Sequence, residues 1–597
     1  MTLVALSVLV PVITGTLLSL TASLERRWPA TGVAIAAVLA ALVMLSIVLA
    51  RVGDGRMVVW WGGWAPRRQV LGIDFAIDGL GAGLALFVTA LALPALLFAG
   101  YSIRASVQLF LAACLIFVAA MVAFSLTGDL FDLFVFFELM SVAAYVLVGY
   151  DIRHRAPLEG AVTFAVVNSI GSILLLFGIG LLYGRTGALN MAQLGEALRP
   201  SGASGLVCIA FALVATGLLV KAAVVPFHFW TADAYGVAPT PVLILLGGVF
   251  SELGLYALAR VYWTVFEPVL HAHHDAIRAI FVSLGLLTAL LGAAMALAQH
   301  HLKRMLAFVV VSQIGVFLVG IGLLRPDGLA GTAIYVAGDG FAKAALFICV
   351  GVVQHRYDAI EERTLHGRAR PLRALGVAYG IAALTVAGLP PWGAFAGKTL
   401  IEDAALAQPG WAWVPAVIAL ACGLAGGALL RAGLRVFVGA GEPASIDSRF
   451  VAPDDEGRED EEKSGAPGSS AVLAGALVLA SLALGLVPGL AHAVTAAATR
   501  FTDTAAYAAA VLGGHASERA VPHVHPPGAT AYLYAAASLA GAALVAALGI
   551  RGRSLPDPAM RALNRVRALH SGHVGDYVAW AGAGAAALAG IFALTLR

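Results

Sequence analysis

The chain has 597 residues, 60% of them hydrophobic and only 12% charged, with a formal net charge of +3. A soluble globular chain of this length carries about twice that charge. A soluble enzyme is therefore excluded, and so is a nucleic-acid binder, which needs a strongly basic surface. The four cysteines (Cys114, Cys208, Cys349, Cys422) sit singly in apolar runs with no CxxC pair. No iron–sulfur, zinc or c-type haem site is offered, and no cofactor is expected in this chain.

Apolar runs of roughly 20 residues recur along the chain, the length that crosses a bilayer as a helix. Backbone groups in lipid must bond internally, so such runs mean helices. The first run has no basic residue ahead of its apolar core, which predicts a retained helix and not a cleaved signal peptide. Residues 1–106 hold the N-terminal spans. In the next block Glu138 lies in LFDLFVFFELMSVAAYVLVGY, near mid-span. A carboxylate there is expensive and points to function, with a fixed salt bridge as the plain alternative. Lys221 opens KAAVVPFHFWTADAYGVAPTPV, where Pro226 removes one helical hydrogen bond and Pro239 and Pro241 follow. Such a break is tolerated only where the freed backbone groups face protein or water. The stretch is expected to line a hydrated cavity, with Lys221 beside it and His228 just beyond. Glu252 sits mid-span in LLGGVFSELGLYALARVY.

HAHHD at 271–275 and PHVHPP at 522–527 read as ordinary polar loops. Asp339 and Lys343 lie one helical turn apart in GTAIYVAGDGFAKAALFICVGVV, so they pair easily. LTVAGLPPWGAFAGKTLIEDAAL is a second broken span, with Lys398, Glu402 and Asp403 after its prolines. GAFAGKT is not a phosphate loop, because its glycines are one residue too close and no strand precedes it. Residues 442–470 are acidic and rich in Gly, Pro and Ser, as a disordered cytoplasmic linker is. Residues 471–597 hold the C-terminal spans. Two interrupted spans at corresponding places predict inverted repeats with the transport path at the breaks. The repeats fall at 107–262 and 278–433, five spans each. The predicted fold is an all-α polytopic membrane protein of about sixteen transmembrane helices.

Alternate loops differ in charge. The set with Arg26, Arg27, Arg153, Arg155, Lys303, Arg304 and the basic residues of 356–373, 431–463 and 551–567 holds most of the 37 Lys and Arg. This places that set inside and both termini outside. The chain has five lysines against 32 arginines, yet Lys221, Lys343 and Lys398 fall within spans and no arginine clearly does. A guanidinium keeps its proton, whereas a buried ammonium gives it up more readily. With Glu138, Glu252 and Asp339 these lysines form a row of titratable groups of both signs, as a proton relay requires. Glu138 and Lys221 are expected to lie close enough to interact, directly or through one water.

KAAVVPFHFWTADAYGVAPTPV, with FFELMSVAAYVLVGY before it and LKRMLAFVVVSQIG, FAKAALFICVG and GLPPWGAFAGK after it, resembles the antiporter-like membrane subunits of respiratory complex I. The same module occurs in Mrp-type sodium/proton antiporters and group 4 membrane-bound hydrogenases. The likeness covers roughly 75–435, and RALHSGHVGDYVAW resembles the last-helix region of the longer members. The resemblance implies that Glu138 and Lys221 are the glutamate–lysine pair of the first half-channel. It implies that Lys343 is the central lysine and Lys398 the exit-side residue. Two positions depart from the pattern: Glu252 stands where lysine or histidine is usual, and Asp339 where histidine is frequent. The implied function is proton conduction within a multi-subunit complex driven by a redox module elsewhere, in the plasma membrane. A sodium/proton antiporter component is the second reading, and a proton-driven partner in inorganic-carbon uptake the third. The expected partners are other membrane subunits, protons or sodium, and lipid. An inert scaffold has no reason to keep six buried charges.

Overall fold

The computed structural model describes residues 2–24, 27–53, 55–64, 72–103, 106–442, 468–514, 519–551 and 557–596. Nearly all of the acidic stretch 442–470 lies outside the described residues. The chain is helical almost throughout. The first eight helices are α1 (Thr2–Leu20), α2 (Arg27–Val52), α3 (Gly79–Ser102), α4 (Val107–Leu126), α5 (Leu130–Val148), α6 (Arg155–Thr186), α7 (Met191–Leu198) and α8 (Gly205–Lys221). The next eight are α9 (Phe229–Val237), α10 (Thr240–Leu245), α11 (Ser251–Val261), α12 (Glu267–Leu270), α13 (His274–Ala298), α14 (Leu302–Gly322), α15 (Pro326–Tyr357) and α16 (Arg373–Val386). Then come α17 (Gly393–Leu406), α18 (Val414–Gly433), α19 (Gly468–Leu486), α20 (Leu490–Phe501), α21 (Thr504–Leu512), α22 (Ala529–Ile550), α23 (Asp557–Ala568) and α24 (Val574–Thr595).

Thirteen helical stretches among the described residues are long and apolar enough to cross a bilayer. One of them, Thr240–Ala298, is 59 residues long and is interrupted at His271–His273. A short antiparallel hairpin, β1 (Met57–Trp60) with β2 (Asp74–Ile77), pairs Met57 with Ile77 and Trp60 with Asp74. The helix-only reading did not foresee it, because its strands are too short to show an alternating pattern. α14 is buried along nearly its whole length and forms the centre of the bundle. Ile13 and Leu17 of α1, Leu533 and Leu544 of α22 and Leu594 of α24 are exposed, as a lipid-facing rim demands.

Each end of the bundle is held by a buried carboxylate paired with arginine. At the basic end the fully buried Glu362 accepts from Arg431 (3.1 Å) and Arg435 (3.0 Å). Arg431 also donates to the carbonyls of Leu297 and Gln299, and Arg435 to that of Gly549. At the opposite end Asp78, which caps α3 by accepting from the Gly81 amide, pairs with Arg260 at 2.5 Å. Asp74 accepts from Asn190 at 2.7 Å.

The spans with Pro226 and with Pro390–Pro391 are interrupted, whereas α1 and α3 run on through Pro11 and Pro94. α8 stops at Lys221 and α9 starts at Phe229; α16 stops at Val386 and α17 starts at Gly393. Their backbones follow one pattern. Ala222 N bonds Leu218 O, Ala223 N bonds Val220 O and Val224 N bonds Leu219 O. Ala387 N bonds Ala383 O, Gly388 N bonds Thr385 O and Leu389 N bonds Leu384 O. Ala223 (φ 58°) and Gly388 (φ 94°) take the left-handed conformation at the same step. Glycine accepts this freely, whereas alanine pays roughly 1–2 kcal/mol.

Each interruption is covered by a later helix at a glycine. A Cβ on Gly584 of α24 would collide with the Pro226 ring, and one on Gly485 of α19 with the Pro391 carbonyl oxygen. Only hydrogen at these positions lets the covering helix approach so closely.

Candidate functional site

Seven of the sequence-predicted residues, Lys221, His228, Glu252, Asp339, Lys343, Lys398 and Glu402, are buried to within a few percent. They fall into three groups along the bundle.

Lys221 ends α8 at the first interruption. Its ammonium donates to Ser141 Oγ at 2.6 Å and lies over the rings of Phe250 (3.6 Å) and Phe137 (4.7 Å). The direct pair with Glu138 is not formed. Glu138 is half-buried on α5, within electrostatic reach of Lys221 but beyond ion-pair distance. Ser141, one turn further along α5, takes the ammonium instead. His228 lies just past the break, 2% exposed, and neither ring nitrogen has a partner.

At the centre Lys343 Nζ pairs with Glu252 Oε1 at 2.7 Å and with Asp339 Oδ2 at 2.9 Å. Two carboxylates and one ammonium, all ionised, carry a formal charge of minus one, which is costly away from water. The trio therefore has a place for one more proton without leaving Lys343 unpaired. Two π turns, Leu246–Phe250 and Tyr262–Phe266, flank α11 and offset its register on either side of Glu252. Glu252 Oε2 has no hydrogen-bond partner. Glu252 lines a largely apolar cavity of about 640 Å³ that also meets Phe87, Tyr256 and Phe317 and reaches Gly53 and Arg500.

Beyond the second interruption, Lys398 Nζ lies 3.7 Å from Glu402 Oε1, one turn on, and donates to Ser538 Oγ of α22 at 3.2 Å. A Cβ on Gly388 would meet this ammonium at 2.9 Å, so the left-handed glycine also makes room for the lysine. Tyr335, Asp339 and Lys343 share one face of α15 at steps of four residues. Tyr335 donates to Gln313 Oε1 at 2.7 Å and contacts Cys422 Sγ at 3.4 Å. Polar side chains thus continue from the central trio toward Lys398.

The sequence reading did not pick out Ser141, Gln313, Tyr335 or Ser538. Tyr335 had a signal, the four-residue step from Asp339, and Gln313 was an amide within an apolar run. Ser141 and Ser538 had none. Arg260, on α11 within the predicted span, is 2% exposed; it lies at the Asp78 end of the bundle and rests over the Phe501 ring at 3.7 Å.

The model of the family described as NADH:quinone oxidoreductase/Mrp antiporter matches residues 127–423. NADH-quinone oxidoreductase subunit N of Desulforudis audaxviator is 32% identical over 398 residues, 65% of this chain and 77% of that protein. The chain belongs to this family. Within it, a Na(+)/H(+) antiporter subunit of Alkalihalophilus pseudofirmus is 30% identical over 433 residues, 71% of this chain and 84% of that protein. Among solved structures, the Mrp complex from Dietzia sp. superposes with a TM-score of 0.74 at 29% identity, over 86% of this chain and all of that one. The archaeal membrane-bound sulfane sulfur reductase shares the fold, with a TM-score of 0.76 at 23% identity and the same coverage. This antiporter-like family member is a multi-pass membrane protein, and its relatives are subunits of multi-subunit membrane complexes.

Proposed function

We propose that the chain moves protons through the membrane as one subunit of a redox-driven complex of the NADH-quinone oxidoreductase or hydrogenase type. The observation that carries this reading is the Lys343 ammonium held between Glu252 and Asp339, with a buried lysine at or just beyond each helix interruption. Glu138 and Lys221, with Ser141 between, serve the first half. Glu252, Lys343 and Asp339 form the centre, and Lys398 with Glu402 the exit side. His228 feeds the first interruption. A proton added to the trio neutralises one carboxylate and loosens its hold on Lys343, so charge arriving on one side is felt on the other.

The matching backbones at 218–224 and 383–389 support inverted repeats at 107–262 and 278–433. Counting 240–298 as two crossings and each broken pair as one accounts for the sixteen-span reading. The basic end faces the cell interior, which puts both termini outside the plasma membrane. Redox centres belong to partner subunits.

Lys343→Met tests the reading. Methionine keeps the length and removes the proton site. The complex carrying it assembles but no longer moves protons when reconstituted in vesicles; pumping at the wild-type rate sinks the relay.

A second reading, a component of an Mrp-type sodium/proton antiporter, draws equal support from the antiporter relatives and the Dietzia complex. Glu252 and Asp339, acidic where the family usually carries basic groups, suit a hard cation, which prefers oxygen ligands. Collapse of a pH gradient by added sodium, and not by potassium, selects this reading.

A further inference from the structure

His228 and His570 meet at the first interruption. Both ring nitrogens of His228 lack partners although the residue is almost fully buried. Leaving such groups unbonded is costly and asks for an explanation. The facing ring is His570, in the turn between α23 and α24, with centroids 5.1 Å apart and planes at 75°. Its Nδ1 lies 3.1 Å from the Val566 carbonyl, an oxygen that only accepts. The proton therefore sits on Nδ1, and Nε2 carries a bare lone pair. Nε2 is itself buried and without a partner. His570 as a whole is half-buried, and Ser571, Gly572 and His573 beside it are exposed. One imidazole thus reaches from the water-exposed turn to the buried ring at the break.

Packing fixes this placement. Phe229 and Phe308 lie 4.8 and 5.4 Å from the His570 ring, and Tyr577 stacks on Phe229 at 5.2 Å. Gly584 seats α24 directly on Pro226 and Phe227. Phe308 is in the second turn of α14, so the pair lies toward the basic end. The charged groups nearby are Asp233 of α9 and Arg304 of α14, both of which act on Tyr577. Burial holds the His570 imidazole below its usual pKa, so it is neutral and able to accept at neutral pH.

We propose that His570 is the proton-transfer partner of His228, and that the turn between α23 and α24 is the inlet from the basic end to the first interrupted helix. The inference rests on the relay reading. When the exposed turn carries the His570 ring outward, its Nε2 lone pair takes a proton from hydronium, leaving water, and forms the imidazolium; the ring then returns to face His228. Nε2 then gives that same proton to the facing ring nitrogen of His228. His570 returns to its starting tautomer, and its Nδ1 proton never leaves the Val566 carbonyl.

The test uses the assembled complex in vesicles, with proton movement followed by a pH-sensitive dye. His570→Ala is expected to slow proton movement by roughly a hundredfold, the lower end of what a positioned proton-transfer group supplies. Added imidazole is expected to restore much of the rate, which a packing role does not allow. His570→Gln keeps size and polarity but cannot carry the proton, and is expected to be as slow as the alanine variant. Wild-type rates in either variant, or failure of imidazole to rescue assembled His570→Ala, overturn the proposal. If His570→Ala does not assemble, His570→Gln alone decides: a slow rate supports the proposal and a normal one overturns it. Normal His570 variants beside an inactive Lys343→Met remove only the inlet; a normal Lys343→Met removes the relay itself.

Discussion

Glu252 uses one carboxylate oxygen to hold Lys343 and leaves the other bare where it lines an apolar cavity. Glutamine there keeps the shape and a hydrogen-bond acceptor for Lys343 but can neither take nor give a proton. Glu252→Gln is therefore expected to slow transport and move its pH optimum while assembly survives. Proton movement measured against pH in both forms checks this, and superimposable profiles leave Glu252 a bystander. The buried charges Lys221, Glu252, Asp339, Lys343 and Lys398 were legible in the sequence because each interrupts an apolar run, where charge is rare and costly, whereas Glu138, read in the same way, is half-buried. Their uncharged partners were not. Ser141 and Ser538 bond lysines 80 and 140 residues away, and a serine in an apolar helix carries no mark of such a contact. Arg260 escaped notice because it falls near the predicted end of its span at 262, whereas the helical run continues to Leu270.

At the scale of the helix, prolines in mid-span announced both interruptions. What covers them was hidden, since Gly485 and Gly584 look like any small residue in an Ala- and Gly-rich helix. The contacts are close nonetheless. Gly485→Ala drives a methyl group into the Pro391 carbonyl and is expected to cost about 1–3 kcal/mol, the usual range for overpacking. Gly475, on the same helix, has nothing within 4 Å of its Cβ position. Gly475→Ala is expected to be neutral or to stabilise by up to about 1 kcal/mol through helix propensity. Thermal unfolding of the two variants separates a specific contact from a general effect of mutating α19; equal melting temperatures contradict it. The hairpin Met57–Ile77 was invisible for a different reason. Four-residue strands, MVVW and DFAI, give too few alternations to register.

Across the whole molecule, Glu362 gathers the basic end, touching chain segments that lie far apart in sequence. Burial alone would raise its pKa, but the His300 ring 3.6 Å away and the charges of Arg431 and Arg435 outweigh burial and hold it below the ordinary carboxylate value. A carboxylate depressed in the folded state stabilises fully above its unfolded pKa, and that contribution fades as pH falls through the folded value. The clamp is thus intact at about pH 5 and is lost progressively below about pH 4. Glu362→Gln leaves Arg431 buried without its anion and is expected to cost roughly 3–5 kcal/mol at neutral pH. It is also expected to flatten the acid limb of the stability curve, as measured by unfolding of the complex across the acid range up to neutrality. An unchanged acid limb assigns the acid sensitivity to other carboxylates.

The seating of α24 on Pro226 has a consequence for how the protein is made. Synthesis runs from the N-terminus, so the first interruption enters the bilayer long before its cover exists. Until then the rings of Pro226 and Phe227 lack the face that Gly584 gives them, while the amides of Ala222, Ala223 and Val224 are already bonded within the turn. Arrival of α24 therefore completes packing, and it brings the His570 ring onto His228. The order of translation thus builds the interrupted helix early and the ring that faces its histidine last.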